Sequence, residues 1–500
     1  MRALRLLIVL AAFAPAAPAQ AQTGAQRALE VAAATPEVRR ERAARERTYL
    51  RAYREPERRL WRVSLFQAGR PSREVAQVRV DDRGRVVEAW TGVKLEWPMA
   101  RGYPGAFGRG VNTPWIWAGL SLLFVLPFLR GPPRMLHLDL AVLLAFGLSY
   151  AAFNAAELGI SVPSVYPLLA YLLARMLWVA WRPPPAPPRL RTSAAFLLGA
   201  LFFLLGVRVA LNLTGNVIDV GYASIIGADR IAHGDPLYGT FPEPVEHGDT
   251  YGPVAYAAYV PFELLFPWTG EWDGLAAGHA AALAFDLGCL ALCWRLGGVL
   301  LAYLWAAYPF TLLVSASGAN DALVTLLILA ALLAAARPAA RGVLMGLAAL
   351  TKLAPLVLAP LMVGRSLAGA AALLLTVAVL ILPFDQGTLI ERTVEFQAQR
   401  DSPFSIWQGA AVAQAVVQVA ALVLALALAF VPRRRDRARV AALAAAVLIA
   451  VQIGADHWFY TYLVWFAPLV WIALLSPNPP ILAANQRRMH GHPPIGRAPK

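Results

Sequence analysis

Pro253-Val254-Ala255-Tyr256-Ala257-Ala258-Tyr259-Val260-Pro261-Phe262-Glu263-Leu264-Leu265-Phe266 decides how this chain is threaded. The run is apolar but short for a bilayer crossing, which takes about 20 residues, and Pro261 and Glu263 interrupt it. Every apolar run after it changes side according to whether this one crosses. Loop charge resolves the matter. With 253–266 lying along the outer surface, the loops assigned to the cytoplasm hold 18 Lys and Arg against one acid, Asp436. The outer segments after residue 113 then hold three Arg (Arg230, Arg392 and Arg400) against 16 acids. This is the bias of positive loops toward the cytoplasm. A crossing at 253–266 would put Arg295, Arg337, Arg341, Arg365 and Arg433-Arg434-Arg435 outside and reverse it.

Working outward, apolar runs near crossing length fall at 115–129, 136–153, 164–181, 193–211, 275–294, 298–317, 322–336, 366–383, 408–431, 438–455 and 458–476. The stretch 342–363, interrupted by Thr351-Lys352 and Pro355, reads as two short helices meeting at a break. The count implies an α-helical polytopic membrane protein with about 13 crossings. Composition agrees: of 500 residues, 58% are hydrophobic and only 15% charged, and the mean hydropathy is +0.54. A soluble globule carries about 25% charged residues, so a cytosolic enzyme, a nucleic-acid-binding domain and a disordered tail are excluded as the main reading. The net charge of +15 is divided between an external segment and inner loops, so it implies no nucleic-acid partner. Cys289 and Cys293, one helical turn apart in an apolar run, read as packing residues.

The chain opens with Arg2 and Arg5, an apolar run Leu6 to Ala14, and small residues at Ala19 and Ala21, the pattern of a secretory signal over 1–21. Residues 22–113 form the soluble-looking block. Thr35-Pro36-Glu37 opens a charged helix expected to end near Arg54, ahead of Pro56. Strands follow at Leu60 to Phe66, Ala76 to Val80 and Val86 to Trp90, with a turn at Asp82-Arg83-Gly84. Residues 114–182 hold three leading crossings, 183–192 a Pro-rich cytoplasmic linker, 193–476 the core and 477–500 a basic cytoplasmic tail.

The longest outer loop, Asn212 to Gly274, carries Asp219 just past a crossing, then Gly234-Asp235-Pro236-Leu237-Tyr238-Gly239 and Tyr251-Gly252-Pro253. Gly318-Ala319-Asn320-Asp321, Gly342 to Pro355 and Gln397-Ala398-Gln399-Arg400-Asp401-Ser402-Pro403 follow in later segments. In this order and sidedness, over most of 190–476, the chain resembles the GT-C membrane glycosyltransferases, most closely glycosyltransferase family 87, which uses polyprenyl-phosphate mannose. The external block, on Val80-Asp81-Asp82-Arg83-Gly84-Arg85-Val86 and Trp90-Thr91-Gly92, resembles a PepSY-like α+β domain.

The chemistry can be argued beside the resemblance. Outside the cytoplasm a sugar donor has to ride on a lipid, and an acceptor hydroxyl needs a carboxylate to take its proton. Asp219 is placed for that; its plainer role is to cap a surface helix beginning near Val220. A departing lipid phosphate needs cations. Lys352, one of three lysines and the only one in the core, is the first candidate. Arg400 and Arg230 come next. Gln399, Ser402, Asn320, Tyr251 and His457 are candidate sugar contacts, each of which could equally face water. Asp139, Arg175, Arg208 and Asp286 are embedded charges expected to pair between helices or face polar cavities.

The expected activity is inverting transfer of a sugar, most readily mannose, from a polyprenyl phosphate to a hydroxyl of an envelope glycan or glycolipid. It takes place on the extracytoplasmic face of a bacterial-type plasma membrane. The lipid-linked sugar is a substrate. No other cofactor and no metal is expected, since His233 and His247 lack the spacing of a metal pair. A transporter or flippase for lipid-linked sugars is the alternative.

Overall fold

The computed structural model describes residues 17–55, 59–68, 73–91, 113–129, 133–182, 192–242, 245–270, 275–399, 402, 404–432 and 436–476. Most of the expected signal, the Pro-rich linker, Arg400 and the basic tail lie outside the described residues. The chain divides into two compact units, Met1–Ala100 and Arg101–Lys500.

In the first unit, α1 (Ala17–Ala33) and α2 (Pro36–Ala44) precede a four-stranded antiparallel meander, β1 (Thr48–Glu55), β2 (Leu60–Gln67), β3 (Arg73–Asp81) and β4 (Val86–Thr91), in spatial order β1-β2-β3-β4. Thr35 caps α2 by accepting from the Val38 N–H, with Pro36 at the first helical position. The helix stops at Ala44, ten residues before the expected end. The missing piece is β1, whose register pairs Leu50 with Leu65 and Ala52 with Val63. From Thr48 the pattern alternates at period two, Leu50 and Ala52 against Tyr49, Arg51 and Tyr53, so the charged stretch changes from helix to strand there. Val63, Leu65, Ala76, Val78 and Val80 form one sheet face, packed on Ala28, Ala32 and Val38. α1 runs across the expected cut after Ala21, and its Ala28 and Ala32 are buried against the sheet. At the expected turn Gly84 takes φ +78, which favours glycine, and Asp81 accepts the backbone N–H of Arg83 and Arg85.

The second unit is helical: α3 (Pro114–Val125), α4 (Met135–Asn154), α5 (Leu158–Trp181), α6 (Ala194–Leu213), α7 (Asp219–His233), α8 (Pro253–Ala257), α9 (Val260–Glu263) and α10 (Ala276–Ala307). There follow α11 (Pro309–Ala316), α12 (Asp321–Leu333), α13 (Pro338–Ala349), α14 (Ala359–Val363), α15 (Leu367–Ile381), α16 (Gln386–Ile390), α17 (Phe396–Gln399), α18 (Ala411–Leu428), α19 (Arg437–Ile453) and α20 (Leu463–Leu475). Among the described residues five helices, α4, α5, α6, α10 and α18, are long and apolar enough to cross a membrane. A sixth is counted if α15 and the helical run Gln386–Ala398, bent by 113°, form one span. α6 and α18 leave Phe202 and Val412 at least 80% exposed, apolar faces suited to lipid. α8 and α9, of five and four residues, are too short to cross. Beyond them the chain passes Gly270 (φ +93), which has open space around it.

α10 spans two of the expected runs and is broken between them at Gly297 (φ −155) and Gly298 (φ 72). The expected break at Thr351-Lys352 is present too, between α13 and a 3-10 turn at Ala354–Leu358. Gly342 brings α13 against α15, since a Cβ there would lie 2.1 Å from the Gly369 carbonyl. α19 packs on α5 and α20, and α10 on α6 and α12. The embedded charges pair between helices. Arg175 meets both carboxylate oxygens of Asp139 at 2.9 and 3.0 Å, and Tyr171 adds a hydroxyl. Arg208 grips both oxygens of Asp286 and also donates to the Ala306 carbonyl and the Thr311 hydroxyl, while the Trp305 indole donates to Asp286. Cys289 and Cys293 are buried free thiols, about one and two turns beyond Asp286.

Candidate active site

Asp219 is the first residue of α7, and its Oδ1 accepts the Val220 N–H at 2.8 Å. A carboxylate there is favoured by the positive helix start, although the capping position itself is Ile218, which makes no side-chain cap bond. The Asp219 side chain is only half-buried. α7 is seated on the turn between α11 and α12. The Ile218 N–H donates to the Ser317 carbonyl at 2.9 Å, and a Cβ on Gly221 would lie 2.4 Å from the Gly318 carbonyl. Gly318 itself has φ +66. On the same contact the Asn320 amide donates to the Ser224 hydroxyl at 3.4 Å. Its Oδ1 is buried with no hydrogen-bond partner among the described residues.

A second arm comes from the loop before α8. Tyr238 donates to the Tyr251 carbonyl at 3.0 Å, and Tyr251 N–H donates to the Tyr256 hydroxyl at 3.1 Å. Burial first, then the Asp249 charge, pushes the Tyr238 phenol up, so it stays a proton donor. Val254 N–H reaches the Leu350 carbonyl at 3.1 Å. That approach requires Gly252, where an added Cβ would stand 2.1 Å from the same carbonyl oxygen. Gly252→Ala should therefore cost about 1–3 kcal/mol of stability by overpacking. A thermal denaturation series checks this; an unchanged midpoint would mean the loop does not rest on Leu350.

The two arms meet at Lys352. Its ammonium lies 2.7 Å from Asp321 Oδ1, and Trp465 Nε1 donates to the same oxygen at 2.9 Å. Tyr251 and Tyr462 each present a ring 5.2 Å from Lys352 Nζ, and Trp465 one at 5.5 Å. Lys352 thus has a carboxylate and three aromatic rings around its side-chain nitrogen. Lys352, Tyr251, Asn320 and Asp219 were all nominated from the sequence. Sequence reasoning took Lys352 as a phosphate ligand without its counter-ion, because Asp321 read as part of a loop motif.

The other nominated residues fare differently. Arg230 is half-buried and gives its terminal amino groups to Pro236 O, Thr240 O and Thr240 Oγ1, with Phe241 under the guanidinium. It holds the Gly234–Thr240 turn in place. Ser402 and His457 are brought together, hydroxyl to Nδ1, at 2.9 Å, with Phe404 edge-on to the imidazole. Gln399 ends α17 with its side chain outside the described residues, and Arg400 is wholly outside them. Sequence reasoning missed a further ion pair. Asp249, fully buried, accepts from Gly239 N–H at 2.6 Å and from Arg392 Nε at 3.0 Å. With His247 stacked on Phe396 it ties the loop between α7 and α8 to the segment after α15.

Comparisons with protein-family models, curated proteins and solved structures find no match for this chain.

Proposed function

We propose that the chain is a membrane-embedded inverting glycosyltransferase of GT-C type that takes its sugar, most readily mannose, from a polyprenyl phosphate. The observation that carries this reading is the meeting of four sequence-distant segments around 219–224, 251–254, 318–321 and 350–352. It sets Lys352 against Asp321 and Tyr251, and Asn320 against Ser224, on a helix that Asp219 opens. In this reading Asp219 accepts the proton of the attacking hydroxyl. The bond from the anomeric carbon to the phosphate oxygen breaks as the glycosidic bond forms on the opposite face, and polyprenyl phosphate leaves. Lys352 supplies positive charge near the phosphate from within its aromatic surround, with Asp321 fixing its position. Arg400 is proposed as a second cation. Arg230 leaves that set, because its terminal nitrogens are already engaged. Asn320, Gln399, Ser402 and His457 remain proposed sugar contacts, alongside Tyr251.

The arrangement that suits this chemistry is about 13 crossings, counting the short apolar helices, with the first unit and the site extracytoplasmic and the C-terminus cytoplasmic. The acceptor is proposed to be a hydroxyl of an envelope glycan or glycolipid. A lipid-linked-sugar flippase would call for unneutralised embedded charges along its path. Asp139 and Asp286 are instead each locked to an arginine, which favours the transferase. The deciding assay offers purified, reconstituted protein radiolabelled polyprenyl-phosphate mannose and, separately, nucleotide-linked mannose, with a glycolipid acceptor. Transfer from the lipid donor alone is expected. Accelerated movement of the lipid-linked sugar across the bilayer without transfer would replace this reading with the flippase.

A further inference from the structure

Leu290, Ala291, Leu292, Trp294 and Arg295 of α10, with Leu333 at the end of α12, line an open trough of about 550 Å3. None of the residues nominated for catalysis or sugar binding takes part in it. Its surface is almost wholly apolar, and among its lining residues Trp294 and Arg295 are both exposed. Regular helix stops at Gly297, so Arg295 occupies the last turn of a helical segment, where the carbonyl ends favour a cation. Arg295 has no carboxylate partner and no side-chain hydrogen bond among the described residues. Arg175 and Arg208, deeper in their helices, are each paired with an aspartate. An exposed guanidinium at the edge of an apolar run attracts an anionic headgroup.

The ligand that answers all three features is an amphiphile. Its chain would lie in the aliphatic trough, its headgroup level would suit the indole, and its phosphate would take the guanidinium's paired N–H donors. The site favours a net negative headgroup, because a choline headgroup brings its own cation. We propose that this trough binds one acyl chain and the phosphate of an anionic glycerophospholipid. Leaflet follows from loop charge: Arg295 and Arg337, four residues beyond Leu333, belong to the basic side of the chain, so the lipid comes from the inner leaflet. The site is independent of the transferase reading.

The test uses the full chain, purified in mild detergent and offered phosphatidylglycerol or phosphatidylcholine, with bound lipid counted by native mass spectrometry. Wild type should retain phosphatidylglycerol in preference. Arg295→Gln should lower its retention about fivefold, the worth of one basic residue at an anionic surface, and leave phosphatidylcholine unaffected. Leu292→Trp, which fills the trough, should lower retention of both. Excess inorganic phosphate should not displace the lipid. Equal retention of the two lipids by wild type, or undiminished phosphatidylglycerol on Arg295→Gln, would overturn the site as ordinary annular contact. Displacement by inorganic phosphate would overturn the role of the trough. If Leu292→Trp does not fold, the Arg295→Gln comparison decides.

Discussion

Asp219→Asn is expected to slow sugar transfer by about 10²–10⁴-fold, the usual worth of a positioned general base. The fall should appear in kcat, with KM for the lipid donor little changed, because an amide takes no proton yet fills the same space. Stability should hardly move. The asparagine side-chain oxygen can still accept the Val220 N–H that Asp219 accepts now, so the start of α7 keeps its bond. This separates catalysis from capping, since a purely structural Asp219 would leave the rate intact on Asn substitution and show its loss only with Ala. Equal rates for wild type and Asp219→Asn would remove the base from the mechanism.

The largest stability effect is expected inside α6, near its C-terminal end. Arg208→Met should destabilise the protein by about 3–5 kcal/mol, because it leaves the Asp286 carboxylate buried and uncompensated. Arg208 and Asp286 are each 1% exposed or less, so water cannot take over. The double variant Arg208→Met/Asp286→Leu should recover most of that loss, since an apolar pair of similar volume is often as stable as a buried ion pair. Thermal unfolding in a fixed detergent reads both. A double variant as unstable as the single one would show that Trp305, Ala306 and Thr311, which also bond this pair, depend on the charges themselves.

Much of the helical unit was legible because apolar runs and their interruptions are local signals. Gly297-Gly298 and Thr351-Lys352 fall where the chain breaks, and Pro261 sits in a pair of helices too short to cross. β1 was not legible, because Arg51, Arg54 and Glu55 continue the charge density of α2. Only the pairing of Leu50 and Ala52 across to β2 shows that the period has changed. The site divides along the same line. Asp219, Tyr251, Asn320 and Lys352 stand beside glycines and prolines that punctuate loops, and could be nominated singly. Their partners could not. Trp465 lies 144 residues from Asp321 within an apolar helix, where nothing distinguishes a hydrogen-bonding indole from one that only packs. Arg392 likewise gave no sign that Asp249 was its target.

The pinning of the loop between α7 and α8 bears on where this chain will accept an insertion. Between Tyr238 and Val254 it is fastened by Asp249, Arg392 and the Leu350 carbonyl, so foreign residues there would pull the site apart. Gly270, with nothing within 4 Å of an added Cβ, is free of such ties. An epitope placed at Gly270 would fold with the protein, and antibody access in intact cells would then report which compartment Gly270 occupies.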